Sequence, residues 1–161
     1  MGADGTDHRS VTIDKKAEAP AAVGPLLRPV PTRDEEGFWR SGADGRLRMQ
    51  RCRSCGRWQH PPNPVCFECL SRDVAFEPVS GEGSVYSFTV NHQPWLPHLR
   101  DPYTVIVVEL DEQPGLRFVS RLVNTDPEDV RIGMRVRVVF EPLGDGLFAP
   151  LFTADATEGG R

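Results

Sequence analysis

From residue 46 onward the chain alternates apolar and polar positions with a period of two, interrupted at short intervals by Gly, Pro, Asn and Asp. That pattern predicts half-buried strands joined by turns. In RLRMQR, Leu47 and Met49 alternate with Arg46, Arg48 and Arg51, giving a strand that leads into Cys52. RDVAFEPV supplies the returning strand, and Gly81 and Gly83 in SGEGSV mark the change to a second unit. Five strands are then expected. SVYSFTVNH sets Tyr86, Phe88 and Val90 on one face, while YTVIVVEL is apolar on both faces and therefore central. LRFVSRL alternates Leu116, Phe118 and Leu122 with Arg117 and Arg121; RVRVVFE turns Val136, Val138 and Phe140 inward; LFAPLFT closes the set. Between the third and fourth strands, NTDPEDVRIG predicts a one-turn helix with Pro127 at its start. Five strands with a helical insertion at that place match the small Greek-key barrel called the OB-fold.

A helical pattern precedes the strands. In TRDEEGFWRSG, Thr32 is placed as an N-cap, Glu35 completes a capping box, and the acidic run suits the positive end of a helix. Gly37 weakens that helix and Gly42 stops it, so its expected value lies in presenting Phe38 and Trp39 to another surface, either the chain's own ribbon or a second chain. Residues 1–31, rich in Ala, Pro, Gly and charge, predict a disordered tail whose stretch Pro25 to Pro31 is suited to docking on a partner in extended form. The expected organisation is mainly β: tail 1–31, helix 32–45, ribbon 46–78, barrel 79–155 and a short tail 156–161.

Composition narrows the function classes. A chain of 161 residues that is 39% hydrophobic has material for one modest core. A net charge of -4 gives no overall field toward phosphate polymers or anionic membranes. No run of 18 apolar residues occurs, and the N-terminus lacks the apolar core of a signal peptide, so a cytoplasmic protein without a membrane role is expected.

All four cysteines fall in RCRSCGRWQHPPNPVCFECL, spaced C-x2-C-x10-C-x2-C. Cys52, Cys55, Cys66 and Cys69 are so spaced that two knuckles can present four thiolates tetrahedrally. A structural zinc is expected, with iron as the competing ion. Four sulfurs fill the coordination shell, which leaves no open position for chemistry at the metal. Arg46, Arg48, Arg51, Arg53 and Arg57 surround the first knuckle. They read either as a solvated face that offsets the thiolate charge or as an anion patch for a phosphate-bearing ligand.

Independent catalysis is not expected, because His60, His92 and His98 have no nucleophile or base in a recognisable setting. The loop NHQPWLPHLRDPY instead carries Trp95 and Leu96 between prolines, which suits an interface anchor or a cap on the barrel core. Trp58 joins Phe38, Trp39, Trp95 and Leu96 as an expected partner contact. A nucleic-acid-binding module is the rival reading, weakened by 13 acidic against 7 basic residues from Phe76 to Arg161.

Taken in order, Phe38-Trp39, GRLRMQRCRSCG, HPPNPVCFEC, SGEGSVYSFTV, YTVIVVEL and IGMRVRVVFE resemble the acyl-CoA-associated family known as domain of unknown function 35, over residues 36–153. The resemblance implies an N-terminal helix and a rubredoxin-like zinc ribbon followed by an OB-fold. It departs at Phe67, where the family often has proline. It further implies an accessory subunit of thiolase-like enzymes, including acyltransferases and the aldolases that shorten steroid side chains as CoA thioesters, with some members joined to hot-dog-fold hydratases. Such a subunit stabilises its partner in a hetero-oligomer and helps shape the acyl-CoA site, where Arg46 to Arg57 are placed to meet a CoA phosphate.

Overall fold

A computed structural model of the protein describes residues 28–93 and 102–155. One helical turn, α1 (Glu36–Trp39), is followed by a 3-10 turn, Ser41–Asp44, that ends at Gly45 in the left-handed region. Thr32 and Glu35 meet with the carboxylate half of the expected capping box in place, while the Thr32 hydroxyl donates where an N-cap would accept. The Thr32 backbone N–H and hydroxyl both donate to the Glu35 carboxylate, each at 2.9 Å. The helix stops before Gly42, and its glycines serve close packing. A Cβ at Gly37 would lie 2.2 Å from the Phe76 ring, and one at Gly42 would lie 2.6 Å from Phe140 and Phe148.

The ribbon is a three-stranded antiparallel sheet in the order β2 (Trp58–Gln59), β1 (Arg48–Cys52), β3 (Val74–Pro78). The barrel comprises β4 (Glu82–Asn91), β5 (Tyr103–Leu110), β6 (Arg117–Leu122), β7 (Arg135–Gly144) and β8 (Leu147–Ala154), closed in the order β4-β5-β6-β8-β7. A 3-10 turn at Pro127–Asp129 lies between β6 and β7, with the Asp126 side chain accepting from the Glu128 N–H. These are the expected five strands and insertion of an OB-fold. Among the described residues, no helix is long and apolar enough to cross a membrane.

The barrel's alternation departs from expectation in one place. A bulge between Val85 and Ser87 takes Tyr86 out of register. Beyond it, Phe88 pairs with Ile106 and Val90 with Thr104, so Phe88 and Val90 turn to one side of the sheet and Tyr86 does not join them, although Phe88, at 36%, is exposed as Tyr86 is. An added residue in one strand shifts side chains to the opposite face, which is why the three do not line up.

One apolar cluster spans both modules. Phe38, Leu47 and Met49 from the helix and ribbon join Val85, Ile106, Val108, Phe118, Val136 and Phe152 from the barrel. An aromatic chain crosses the seam, with Phe38 and His60 centroids 5.1 Å apart, His60 and Phe118 5.3 Å, and Phe118 and Phe152 5.5 Å. Of the tail expected over residues 1–31, only residues 28–31 are among the described residues. Arg28 pairs with Asp145 in the β7-β8 turn, and residues 28–31 border a groove there with Arg40 and Leu147.

Candidate metal centre and flanking surfaces

The two knuckles are built by backbone turns. Gly56 donates to the Cys52 carbonyl and Leu70 to that of Cys66, while the Cys52 and Cys66 N–H groups donate to Arg57 and Ser71. Gly56 and Leu70 both adopt positive φ, which glycine accepts freely and leucine at some cost. The turns bring the sulfurs of Cys52, Cys55, Cys66 and Cys69 within 4.8 Å of one another. Cys52 and Cys69 sulfurs are 3.6 Å apart and those of Cys55 and Cys66 3.7 Å. A tetrahedral ion with metal–sulfur bonds of about 2.3 Å needs sulfurs about 3.8 Å apart, so the donor set fits. Without a cation the thiols cannot all ionise together. Cys52 is held down to about 6, chiefly by the Cys55 backbone N–H, whereas Cys69 is pushed up to about 12. For Cys69, the favourable Ser71 N–H is outweighed by the neighbouring cysteines and burial. A divalent ion removes that conflict by favouring every thiolate.

Behind the centre lies a buried amide pair that the sequence reading missed. Gln50 and Gln59 stand opposite each other on β1 and β2, and the Gln59 amide donates to Gln50 Oε1 at 2.5 Å. Gln50 also accepts the Asn63 N–H at 2.9 Å, and Gln59 accepts the Phe67 N–H at 3.1 Å. The pair thus ties the proline-rich loop to the sheet and sets where Cys66 enters the site. Its only sequence signal is a glutamine at a position with no solvent-facing turn to explain it.

The five arginines do not converge on an anion. Arg48 grips Asp44 with two bonds of 2.6 and 2.8 Å and holds its carboxyl down to about 2. Arg51 pairs with Glu77 at 3.2 Å and lies over Trp58, Arg53 approaches Asp73 at 4.0 Å, and Arg57 approaches Glu68 at 3.6 Å. Arg46 is exposed. Four of the guanidiniums face carboxylates of the same chain, as expected of a solvated face, and the phosphate contact stays an expectation.

The aromatic interface candidates separate as well. Phe38 is 6% exposed and belongs to the chain's own core, so its role as a partner contact is also corrected. Trp39 and Trp58 are partly buried against that core. Trp58 is further latched to the β5-β6 turn, where Gln113 accepts its N–H at 3.0 Å and donates to its carbonyl at 3.2 Å. Gln113 is a second residue missed from sequence. Trp95, Leu96 and His98 lie outside the described residues, and His92 is exposed. His60 sits in the aromatic seam with Nδ1 buried and unpartnered, and burial pushes its pKa down to about 4. It is a neutral residue packed between Phe38 and Phe118.

This layout can now be set beside known proteins. Residues 39–75 match the domain described as the ChsH2 rubredoxin-like zinc ribbon, and residues 76–141 match the ChsH2 C-terminal OB-fold domain. The chain belongs to the ChsH2, or DUF35, family. A DUF35 domain-containing scaffold protein of Methanothermobacter thermautotrophicus is 36% identical over 58% of this chain and 71% of its own length. A probable enoyl-CoA hydratase alpha subunit of Thermomonospora curvata is 36% identical over 89% of this chain, and a 3-oxo-4,17-pregnadiene-20-carboxyl-CoA hydratase alpha subunit of Mycobacterium tuberculosis is 36% identical over 71%. The chain spans 44% and 36% of those two relatives, less than half of each. Among solved structures, the Ltp2-ChsH2(DUF35) aldolase contains a chain 37% identical, with a TM-score of 0.71 over 79% of this chain and 98% of that one.

Proposed function

We propose that this protein is a non-catalytic scaffold subunit of a thiolase-like acyl-CoA enzyme, an aldolase or acyltransferase acting in steroid or other lipid breakdown. The observation that carries the reading is the similarity, over 79% of this chain, to a chain of the Ltp2-ChsH2(DUF35) aldolase, together with a candidate metal centre that takes up all four cysteines. The ion is a structural zinc, and its role is to hold the ribbon against the barrel. A reducing, cytoplasmic setting suits four unbridged thiols. Acyl-CoA is a ligand shared with the partner, bound where the partner's site meets this chain.

The test is co-expression with the thiolase-like chain encoded nearest to it. The expected result is a stable hetero-oligomer that cleaves or transfers acyl groups, with the partner losing stability or activity when alone. A partner that is fully active alone and forms no complex overturns the reading. A second assignment, to a hot-dog-fold hydratase complex, is favoured by the two hydratase alpha subunits and is tested by the same co-purification with a hydratase chain. The nucleic-acid reading gains little from the ribbon, where Arg48, Arg51, Arg53 and Arg57 face carboxylates of the chain.

A further inference from the structure

The two knuckles are not anchored alike. Cys52 ends β1 and pairs with Val74, so the first knuckle begins inside the ribbon sheet. Cys66 and Cys69 belong to no strand, and the second knuckle closes on itself through the Cys66 and Leu70 N–H groups. Side chains that reach it from the first knuckle do so at the surface. The Ser54 and Ser71 hydroxyls meet at 2.7 Å in an exposed pair, and Arg57 and Glu68 are both open to water. Contacts of that kind contribute little. Gln59, at 3% exposure, is the buried attachment. Its Oε1 accepts the N–H of Phe67, the residue after Cys66, while its amide donates to Gln50 Oε1 and, at 3.2 Å, to the Asn63 carbonyl. Asn63 donates its own N–H to Gln50 Oε1 and accepts the Val65 N–H on its side chain at 3.0 Å. Asn63, Val65 and Phe67, alternate residues around Cys66, are thus all fixed from β1 and β2. Turning the Gln59 amide over would set N–H against the Phe67 N–H and oxygen against two oxygens, so a single orientation holds.

We infer that Gln59 is a positioning residue of the metal centre: through the Phe67 N–H it fixes where Cys66 and Cys69 stand relative to Cys52 and Cys55. The inference rests on the reading above that the four cysteines hold a structural zinc. The close sulfur pairs, Cys52 with Cys69 at 3.6 Å and Cys55 with Cys66 at 3.7 Å, each take one sulfur from each knuckle. A shift of the second knuckle therefore stretches both pairs at once and spoils the tetrahedron. Groups that orient metal ligands from outside the coordination sphere typically change affinity by about 10- to 100-fold. An amide suits this place because it bonds without adding charge beside four thiolates. Glutamate would keep an acceptor for the Phe67 N–H but set a carboxylate against Gln50 Oε1 and the Asn63 carbonyl. An apolar side chain would leave the Phe67 N–H without its acceptor and free the knuckle to move.

The experiment compares the full wild-type chain with Gln59→Met, Asn63→Ala and, as a control in the barrel core, Val108→Ala. Three readouts are taken: zinc affinity by competition with a chromophoric chelator, the absorption spectrum of the cobalt-loaded protein, and the cysteines first attacked by limiting iodoacetamide in excess zinc. Methionine keeps the length of the side chain and removes its hydrogen bonds. Gln59→Met is expected to weaken zinc binding about 10- to 100-fold and to alter the cobalt bands at saturation. It should speed alkylation of Cys66 and Cys69 about 10-fold while Cys52 and Cys55 change less than about 2-fold, because only the second knuckle opens. Asn63→Ala, at a half-buried site, should weaken zinc binding about 3-fold with the same cysteine pattern. Val108→Ala should lower the melting temperature and leave the cobalt spectrum and the cysteine pattern unchanged. Wild-type affinity and spectrum in Gln59→Met overturn the positioning role while sparing the zinc reading. Equal acceleration at all four cysteines also overturns it, by revealing a general loss of ribbon stability. Should Gln59→Met fail to fold, Asn63→Ala decides, and unchanged zinc affinity and cysteine pattern there overturn the role. If wild type binds neither zinc nor cobalt, the metal reading itself fails and the role of Gln59 falls with it.

Discussion

The ribbon and the barrel share one seam yet are held by different forces. The barrel's interior is Val85, Ile106, Val108, Leu110, Phe118, Val136 and Phe152, a continuous apolar volume whose stabilisation scales with area removed from water. The ribbon's interior beyond Leu47 and Met49 is the buried Cys52 and Cys66, with Cys55 and Cys69 exposed beside them, and two glutamine amides, which contribute through discrete, directional bonds. Their charges are handled differently too. Four of the ribbon's arginines meet carboxylates in exposed pairs, whereas the barrel's Arg121 and Glu141 attract each other from partly buried positions. The ribbon is thus a small brace built round a set of metal ligands, and the barrel is a body held by its apolar core.

Removing the ion breaks this comparison most severely. Structural zinc contributes on the order of 10 kcal/mol in small isolated sites, far more than the ribbon's few apolar contacts supply. Chelation, or Cys66→Ser, is expected to abolish amide protection across β1 and β3 while β5 keeps most of its own, as read by hydrogen exchange. Equal loss of protection in β5 would show that the barrel, too, depends on the metal.

Crowding the seam is the next largest perturbation. At Gly37 an added methyl meets the Phe76 ring at 2.2 Å, and both the helix and β3 are fixed by packing. Gly37→Ala is expected to cost about 2–3 kcal/mol of stability in urea unfolding. An unchanged midpoint would mean that the helix is free to lift off the ribbon.

Acid should also act at the seam. His60 titrates near 4 when folded, because burial between Phe38 and Phe118 disfavours its charge, against about 6.5 in the unfolded chain. The unfolded state therefore takes up the proton first as pH falls. Stability from neutral His60 is fully present above pH 6.5 and is lost as pH drops toward 4. About 2 kcal/mol should disappear between pH 7 and 5. His60→Phe should flatten that part of the pH profile, and the difference between the two proteins separates it from acid release of the metal. Parallel profiles would exclude His60 as the source.

The parts of this molecule that were legible in sequence are those encoded locally. Period-two alternation located the strands, and cysteine spacing located the metal centre, because each is a relation between near neighbours. The arginines' partners were not legible for the same reason. The carboxylates that engage Arg51, Arg53 and Arg57 are Glu77, Asp73 and Glu68, which folding brings from β3, its approach and the second knuckle. The bulge at Tyr86 left no trace, since YSF reads as uninterrupted alternation. A single helical turn offers too few positions to define a buried face, so Phe38 was ambiguous between its own core and a second chain.

The smallest perturbation tests whether the two modules are also joined by a polar latch. Gln113 presents its side-chain amide to Trp58 as a neighbouring strand would, accepting from the N–H and donating to the carbonyl of β2, the edge strand of the ribbon sheet. Both bonds are only partly buried, so Gln113→Ala should cost about 1 kcal/mol, within the usual net contribution of such bonds. Gln113→Glu keeps an acceptor for the Trp58 N–H but sets a carboxylate against its carbonyl, and should be no better than alanine. The informative readout is local. Hydrogen exchange at Trp58 and Gln59 should quicken in both variants while β1 and β3 remain protected, because the apolar seam through Phe38, Leu47 and Met49 still holds the ribbon in place. If β1 and β3 lose protection together with β2, the latch rather than the seam joins the brace to the barrel.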